Sequence, residues 1–316
     1  KMEEIFAEAE WERLGRYMET IIETKKYGDF TANSEIDLQI KRGEVRAIIG
    51  ENGAGKSTLM NMLYGSLKPT AGEIYFNGEP VVFHSSKDAI KHGIGMVHQH
   101  FKLAPSLTVY ENIILGAEIP KKFKVKGKKC KLPLIDNKKE KEVVKTLIEK
   151  YNFNLNPNDK VKDLSIGARQ RVEILKMLYR NVQVLILDEP TAVLIPQEIE
   201  ELIHEIQQLK QMGNTVIIIT HKLNEVKQCA DNISVIRRGK IMGTVKNDEN
   251  ATMEKLAEMM VGRPVLLRVS KSGKQVNEDK VIFEVNHLSA KDSINRYVLR
   301  DISFLIHENE IIFRAE

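Results

Sequence analysis

The apolar residues of this chain fall either in short continuous runs or in stretches with helical spacing. The runs EVRAIIG (44–50), VLIL (184–187) and TVIIIT (215–220) have the length and β-branched content of buried strands. Between the last two, PQEIEELIHEIQQLKQMG (196–213) repeats apolar residues every three or four positions, as one face of a helix does. This alternation predicts an α/β domain with parallel core strands.

Other segments predict antiparallel structure and a helix start. Asn77-Gly78, between the β-rich runs of EIYFNGEPVVF (73–83), is a strong hairpin signal, and ISVIRRGKIMGTV (233–245) has a polar turn between two strands. Thr108 and Glu111 form a capping-box pattern ahead of a short helix. The core sheet is therefore expected to be mixed, with antiparallel hairpins beside the parallel strands.

Composition narrows the class of protein. The chain has 316 residues, enough for about two domains, and a formal net charge of +4, too small to argue for a nucleic-acid partner. Cys130 and Cys229 are far apart and are interpreted as reduced thiols. No apolar run approaches the roughly 20 residues that span a bilayer. The basic run KKFKVKGKKCK (121–131) is interpreted as a solvated loop.

The end of the chain repeats an earlier segment. IDLQIKRGEVRAIIG (36–50) aligns with ISFLIHENEIIFRAE (302–316), so that Ile36 matches Ile302 and Glu44 matches Glu310. Asn309 stands where Gly43 stands, which suits a turn that needs a positive φ. A second copy of the domain is therefore expected to begin near the end of the chain.

The segment GENGAGKST (50–58) predicts a phosphate-binding loop, because a predicted strand precedes it and a predicted helix follows it. Its glycines let the backbone wrap phosphate oxygens, Lys56 is expected to reach the β- and γ-phosphates of a nucleotide, and the Ser57 hydroxyl is placed for Mg²⁺. The predicted nucleotide-binding residues of this loop are Gly50, Asn52, Gly53, Ala54, Gly55, Lys56, Ser57 and Thr58.

Two acids close a buried strand in VLILDEP (184–190). Asp188 is expected to hold Mg²⁺, and Glu189 is expected to orient or deprotonate an attacking water. The competing interpretation is a strand end with two solvated acids, which the phosphate-loop pattern disfavours.

The segment LSIGARQR (164–171) opens a helix at Ser165, and Gly167 exposes backbone near its start. Its position about twenty residues before Asp188 resembles the ATP-binding cassette family, whose signature is Leu-Ser-Gly-Gly-Gln. In that family the signature faces the phosphate loop of a second cassette. The resemblance therefore implies that Ser165 and Gly167 contact the ATP of an opposing cassette.

The resemblance extends to three further positions. Gln99, in VHQHFKL, matches the Q-loop residue, which contacts Mg²⁺ or water and communicates with a membrane partner. His221, in IIITHKL, matches the switch histidine near the γ-phosphate, and Tyr27 stands where the family keeps an aromatic ring for adenine. The implied catalytic set is Glu189, His221 and Gln99, and the implied Mg²⁺ ligands are Ser57, Gln99 and Asp188.

Departures from the family pattern indicate a subfamily. Ile166 and Ala168 replace a glycine and a glutamine of the signature, Arg169 replaces a usual glutamine, and Ile195 stands at the usual D-loop aspartate. Together with GIGMVHQHFKL and DEPTAVLIPQE, these residues resemble the ATP-binding subunit of bacterial nucleoside and simple-sugar importers, over about residues 18–316. That subfamily carries two cassettes in tandem, although the first strand here looks several residues shorter.

The resemblance implies an α/β fold of the P-loop NTPase, ATP-binding cassette type, with a mixed β core, an antiparallel β subdomain and a helical subdomain at about 100–170. The expected divisions are an N-terminal helix (1–17), a cassette (18–262), a linker (263–280) and the start of a second, truncated cassette (281–316). ATP and Mg²⁺ are the implied cofactors.

The implied function is ATP hydrolysis that drives import of nucleosides or simple sugars at the cytoplasmic face of the membrane. The implied partners are permease subunits, an extracytoplasmic substrate-binding protein and a second cassette, with no nucleic acid. Two alternatives stay open: a non-transport ABC ATPase of translation or DNA repair, and a nucleotide-binding half that cannot turn over without a partner cassette.

Overall fold

The computed structural model describes residues 16–125, 128–264, 277–291 and 297–310. The chain divides into two compact units, Lys1–Val265 and Leu266–Glu316. The strands are β1 Arg16–Tyr27, β2 Phe30–Lys41, β3 Val45–Ile49, β4 Ala71–Phe76, β5 Glu79–Val81, β6 Ile94–Val97, β7 Pro120–Val125, β8 Lys128–Ile135, β9 Val184–Asp188, β10 Thr215–Thr220, β11 Asn232–Arg237, β12 Lys240–Lys246, β13 Asn277–Lys291 and β14 Tyr297–Glu308. The helices are α1 Lys56–Leu63, α2 Ser86–Lys91, α3 Val109–Ile114, α4 Asn137–Lys150, α5 Ile166–Tyr179, α6 Pro196–Gln211, α7 Leu223–Cys229 and α8 Met253–Val261, with a 3₁₀ turn at Val161–Asp163.

A six-stranded sheet forms the centre of the first unit, in the order β12-β11-β3-β10-β9-β6. The strands from β11 to β6 run parallel, and β12 pairs antiparallel with β11, so the predicted mixed sheet is confirmed. Parallel strands end at the same edge of a sheet. The residues that follow β3, β6, β9 and β10 are therefore brought to one edge.

Each of the five parallel strands of this sheet buries both of its faces. Along β10, Val216 and Ile218 pack into one apolar cluster, and Ile217 and Ile219 pack into another. The first cluster also takes in side chains of α3, α4, α5 and α6, whereas the second takes in those of α1 and β2. The continuous apolar runs in the sequence follow from this two-sided burial.

A second sheet, in the order β2-β1-β4-β5, is antiparallel throughout and forms the predicted β subdomain. The β4–β5 turn has positive φ at both Asn77 (54°) and Gly78 (87°), as a two-residue hairpin turn needs. The helix predicted at 1–17 is wrong at its last two residues, because Arg16 and Tyr17 belong to strand β1. The rest of the predicted helix, residues 1–15, lies outside the described residues.

The region between β6 and β9 contains α3, α4 and α5, as expected for a helical subdomain. Thr108 caps α3 with the predicted capping box: its hydroxyl accepts from the Glu111 amide, and the Glu111 carboxylate accepts from the Thr108 amide. The basic run at 121–131 differs from the prediction of a loop. Apart from residues 126 and 127, which lie outside the described part, its backbone forms the antiparallel hairpin β7–β8, in which Lys122 pairs with Lys131.

The second unit is an antiparallel pair, β13–β14, that reproduces the β1–β2 hairpin. Gly43 and Asn309 both have positive φ, at 70° and 66°, as the internal repeat predicts. After each hairpin, a glutamate carboxylate accepts a hydrogen bond from the backbone N–H of the residue three positions earlier. Lys41 N donates to the Glu44 carboxylate at 2.9 Å, and His307 N donates to the Glu310 carboxylate at 2.8 Å.

The predicted linker at 263–280 extends four residues too far, because strand β13 begins at Asn277. Of the rest of the predicted linker, residues 265–276 lie outside the described residues.

Candidate active site

The phosphate-loop segment connects β3 to α1, at the carboxyl edge of the central sheet. Gly55 precedes α1 with φ 101°, and a Cβ there would stand 2.6 Å from the carbonyl oxygen of Ala32. The glycine is therefore needed both for its backbone conformation and for the close approach of β2. Two contacts fix the loop: Asn33 Nδ2 donates to the Gly55 carbonyl at 3.1 Å, and Gly239 N donates to the Ala54 carbonyl at 2.9 Å.

Lys56 is buried, and its ammonium group is held inside the loop. Its Nζ donates to the carbonyl oxygens of Gly50 (2.8 Å) and Glu51 (2.9 Å). Burial lowers the pKa of Lys56, and the nearby carboxylates of Glu189 and Asp188 partly oppose this effect. The loop thus holds a positive charge beside the amides at the start of α1.

Ser57 and Asp188 bring two oxygen ligands together at the start of α1 and the end of β9. Ser57 Oγ lies 3.5 Å from Asp188 Oδ1. Burial, and then the like charge of Glu189, raise the pKa of Asp188, whereas the Ser57 hydroxyl and Lys56 oppose that rise. A hydroxyl and a carboxylate this close fit the preference of Mg²⁺ for oxygen ligands.

Glu189 turns the chain away from β9 in an uncommon backbone conformation. Its φ is 45°, and its amide donates to the Ile219 carbonyl of β10 at 2.9 Å. A non-glycine residue in this region is held there by its surroundings. Its Oε1 lies 3.4 Å from Nδ1 of His221, the residue that follows β10. The structure therefore brings two of the three predicted catalytic residues, Glu189 and His221, into contact.

A pocket of about 220 Å³ lies over the phosphate loop. It is lined by Phe30, Ala32, Asn52, Gly53, Gly55, Lys56, Ser57, Thr58 and Glu189. A neighbouring hollow of about 360 Å³ shares Asn52 with it and includes His221. Six of the eight predicted loop residues and Glu189 therefore line one concave surface, and Asp188 lies beside it, 3.5 Å from Ser57 Oγ.

The aromatic ring in this pocket belongs to Phe30 and not to Tyr27, the residue expected to stack on adenine. Tyr27 and Phe30 pair across the β1–β2 turn, and Tyr27 is not among the residues that line the pocket. The Lys25 ammonium lies 5.2 Å from the centre of the Tyr27 ring. Sequence reasoning missed Phe30, although an aromatic residue two positions beyond Gly28 was a visible signal.

Gln99 is exposed, two residues beyond β6, and is not among the residues that line the pocket. The segment after it is held by α5. Lys102 N donates to the buried Glu173 carboxylate at 2.7 Å, and Lys176 Nζ donates to the Lys102 carbonyl at 3.2 Å. The predicted Q-loop is thus connected to the helix that the predicted signature opens.

Ser165 caps α5, because its Oγ accepts from the Ala168 amide at 3.2 Å. Ser165 and Gly167 are not among the residues that line the phosphate-loop pocket. Both contact Glu198 of α6, which the sequence did not single out. The structure therefore does not bring the predicted signature residues to the phosphate loop of the same chain.

Among the residues that the structure describes, none of the helices combines the length and apolar content needed to cross a membrane.

Comparison with known proteins gives matches in sequence and in fold. Residues 34–192, just over half of the chain, match the family model described as ABC transporter. The chain is 43% identical over 298 residues to the nucleoside import ATP-binding protein NupA of Lactococcus lactis, covering 93% of this chain and 56% of that protein. It is 39% identical to a putative ribose/galactose/methyl galactoside import ATP-binding protein of Halalkalibacterium halodurans, covering 93% of this chain and 53% of that protein. The chain thus spans about half the length of these relatives.

Among solved structures, the chain resembles the ADP conformation of MJ1267, an ATP-binding cassette of an ABC transporter. The TM-score is 0.66 at 27% identity, covering 78% of this chain and 99% of the other. The match of the family model and the fold around the phosphate loop agree: this chain belongs to the ABC transporter family and has the fold of its ATP-binding cassettes.

Proposed function

We propose that this protein hydrolyses ATP as the ATPase subunit of an ABC importer for nucleosides or simple sugars. The observation that carries the proposal is the meeting of Lys56, Ser57, Asp188 and Glu189 at one edge of the sheet, with His221 in contact with Glu189. The names of the relatives, which import nucleosides or sugars, support the substrate class.

In the proposed mechanism, the loop amides and Lys56 bind the β- and γ-phosphates of ATP. Ser57 and Asp188, with Gln99, would hold Mg²⁺, which when bound neutralises charge on the phosphate oxygens. Glu189 orients a water and takes its proton while the water oxygen attacks the γ-phosphorus and the bond to the β-phosphate oxygen breaks. His221 holds the Glu189 carboxylate in place for this step.

Phe30 is proposed to contact the adenine ring, since it is the aromatic side chain that lines the pocket. Base stacking on an aromatic ring needs only an accessible face, which Phe30 offers because it is 66% exposed. Tyr27, the last residue of β1, is the competing candidate.

The signature residues supply the proposed link to a partner. Because Ser165 and Gly167 lie away from the phosphate loop of their own chain, they are proposed to contact the ATP of a second cassette. Permease subunits are proposed to dock on the Q-loop and the helical region after it. An external substrate-binding protein would select the cargo, and the subunit would lie on the cytoplasmic face of the membrane.

The test compares the wild-type chain with Glu189→Gln, measuring phosphate release and, by light scattering, solution mass with and without Mg·ATP. The proposal expects hydrolysis by the wild type to be lost in Glu189→Gln, and the variant to double its mass with Mg·ATP. Wild-type-like hydrolysis by Glu189→Gln would contradict the role of Glu189. A variant that binds ATP but stays monomeric would favour a nucleotide-binding half that needs another cassette.

A further inference from the structure

Glu198, in the first turn of α6, contacts the two signature residues of its own chain. Its Oε1 accepts from Ser165 Oγ and from the Gly167 amide, each at 3.1 Å. The other oxygen, Oε2, lies 3.4 Å from the Ile195 amide at the start of its own helix. One carboxylate therefore joins α6 to the beginning of α5.

The local packing makes room for this carboxylate. A Cβ at Gly167 would stand 2.8 Å from Glu198 Oε1, so only glycine lets the carboxylate approach without a shift. Farther along the same two helices, Arg171 of α5 forms ion pairs with Glu201 and Glu205 of α6. The position of Glu198 is therefore set by the packing of α5 against α6.

The inference rests on the proposed function, in which Ser165 and Gly167 contact the ATP of a second cassette. The Ser165 hydroxyl and the Gly167 amide each have one proton to donate, and Glu198 already accepts both. An incoming γ-phosphate needs the same donors and carries the same sign of charge as the carboxylate. The two anions therefore exclude each other from this position.

We propose that Glu198 is an internal competitor for the γ-phosphate of the opposing cassette. While the cassettes are apart, its carboxylate occupies Ser165 and Gly167, and closure requires it to leave. The Ile195 amide, at the N-cap of α6, gives the displaced carboxylate a remaining partner. Glu198 thereby raises the ATP concentration at which two cassettes close, because the closing-competent state is populated only when the carboxylate has moved.

The first test uses the nucleotide-free chain and inorganic sulfate as a tetrahedral anion. The amide resonance of Gly167 is followed by NMR with ¹⁵N-glycine labelling, and a Gly167→Ala sample assigns it. Glu198→Ala is expected to respond at about tenfold lower sulfate than the wild type. Glu200→Ala, which removes the same charge from an exposed position of α6, is expected to match the wild type. Equal midpoints in all three proteins, or no response in any, would overturn the proposal.

The second test measures ATP-driven association by light scattering in the Glu189→Gln background. Adding Glu198→Gln, which keeps the shape of the side chain but removes its charge, is expected to lower the Mg·ATP midpoint, whereas adding Glu200→Gln is not. An unchanged midpoint would overturn the competition. If the sulfate response is present but no sample associates, the competition stands and the proposed dimerisation of this chain fails. Glu198→Gln also replaces Glu198→Ala in the first test if the alanine variant does not fold.

Discussion

Glu189 and His221 meet across the ends of two neighbouring parallel strands, with Glu189 Oε1 3.4 Å from His221 Nδ1. One residue follows β9 and the other follows β10, so their contact depends on the register of the central sheet. Neither side chain is fully buried, which leaves both accessible to a water and to the terminal phosphate of a nucleotide.

This contact predicts that His221→Ala removes the group that holds Glu189 and slows phosphate release. We expect a loss of about 10²-fold or more, in the range for a group that supports proton transfer, with ATP affinity little changed. His204→Ala, at an exposed position of α6, is the matched control. An unaltered rate in His221→Ala, measured beside that control, would show that Glu189 works without its neighbour.

The buried carboxylate of Asp188 is expected to destabilise the fold although the proposed Mg²⁺ site needs it. Its raised pKa means that the folded chain binds this proton more readily than the unfolded chain, so the ionised carboxylate destabilises the fold. The penalty is present above the raised pKa and disappears as the pH falls through the ordinary Asp range, near 3.9. Without Mg²⁺, Asp188→Asn should therefore raise the free energy of unfolding at neutral pH, because it removes the buried charge.

Urea unfolding at several pH values checks this expectation, with Asp159→Asn, at an exposed loop position, as the control. The gain in Asp188→Asn should shrink toward acid pH, whereas the control should show no such trend. A variant less stable than the wild type at neutral pH would contradict the expectation. Adding Mg·ATP should reverse the order of stability, because only the wild type retains the carboxylate ligand.

Phe30 and Tyr27 offer a paired test of adenine contact. Stacking of a base on an aromatic ring is worth about 1–3 kcal/mol, so Phe30→Ala should weaken ATP binding by about 5- to 150-fold. Tyr27→Ala should have a smaller effect, and neither change should alter the affinity for inorganic triphosphate, which has no base. Calorimetric titration measures both ligands, and a larger loss in Tyr27→Ala would restore the assignment made from the sequence.

The internal repeat supplies a matched pair for stability. Ile36 in β2 is fully buried, whereas its counterpart Ile302 in β14 is 39% exposed. Ile36→Ala should lower the free energy of unfolding by about 2–5 kcal/mol through the cavity it leaves, and Ile302→Ala by less than about 0.5 kcal/mol. Thermal unfolding of the two variants measures the contrast, and equal losses would mean that the repeat positions are equally packed.

Much of the fold could be predicted because local signals and burial agree. The runs at β9 and β10, the Asn77-Gly78 turn and the capping box at Thr108 each determine local structure within a few residues. The repeat even predicted the positive φ of Asn309. Where a short sequence pattern and the burial around it favour the same conformation, the local structure can be predicted from the sequence.

What could not be predicted depends on packing between distant segments. Spacing alone does not tell which of the two rings beside the β1–β2 turn lines the pocket, because both flank the same two residues. Glu198 resembles an ordinary helix-capping acid, and its contact with Ser165 arises only when α5 and α6 pack together. The basic run has only a short strand-like alternation, at Phe123 and Val125, among many lysines that favoured the loop interpretation, yet its backbone pairs in β7–β8.

The contacts around the phosphate loop have a consequence for the order of events during synthesis. The loop residues Ala54 and Gly55 are held by Asn33 before them and by Gly239 far after them, and Gly239 also accepts from Ser34 N at 2.8 Å. The nine-residue motif is therefore complete on the ribosome long before its support exists. A nascent chain acquires this anchored form of the loop only after the β11–β12 turn has emerged, so nucleotide can assist folding only late in translation.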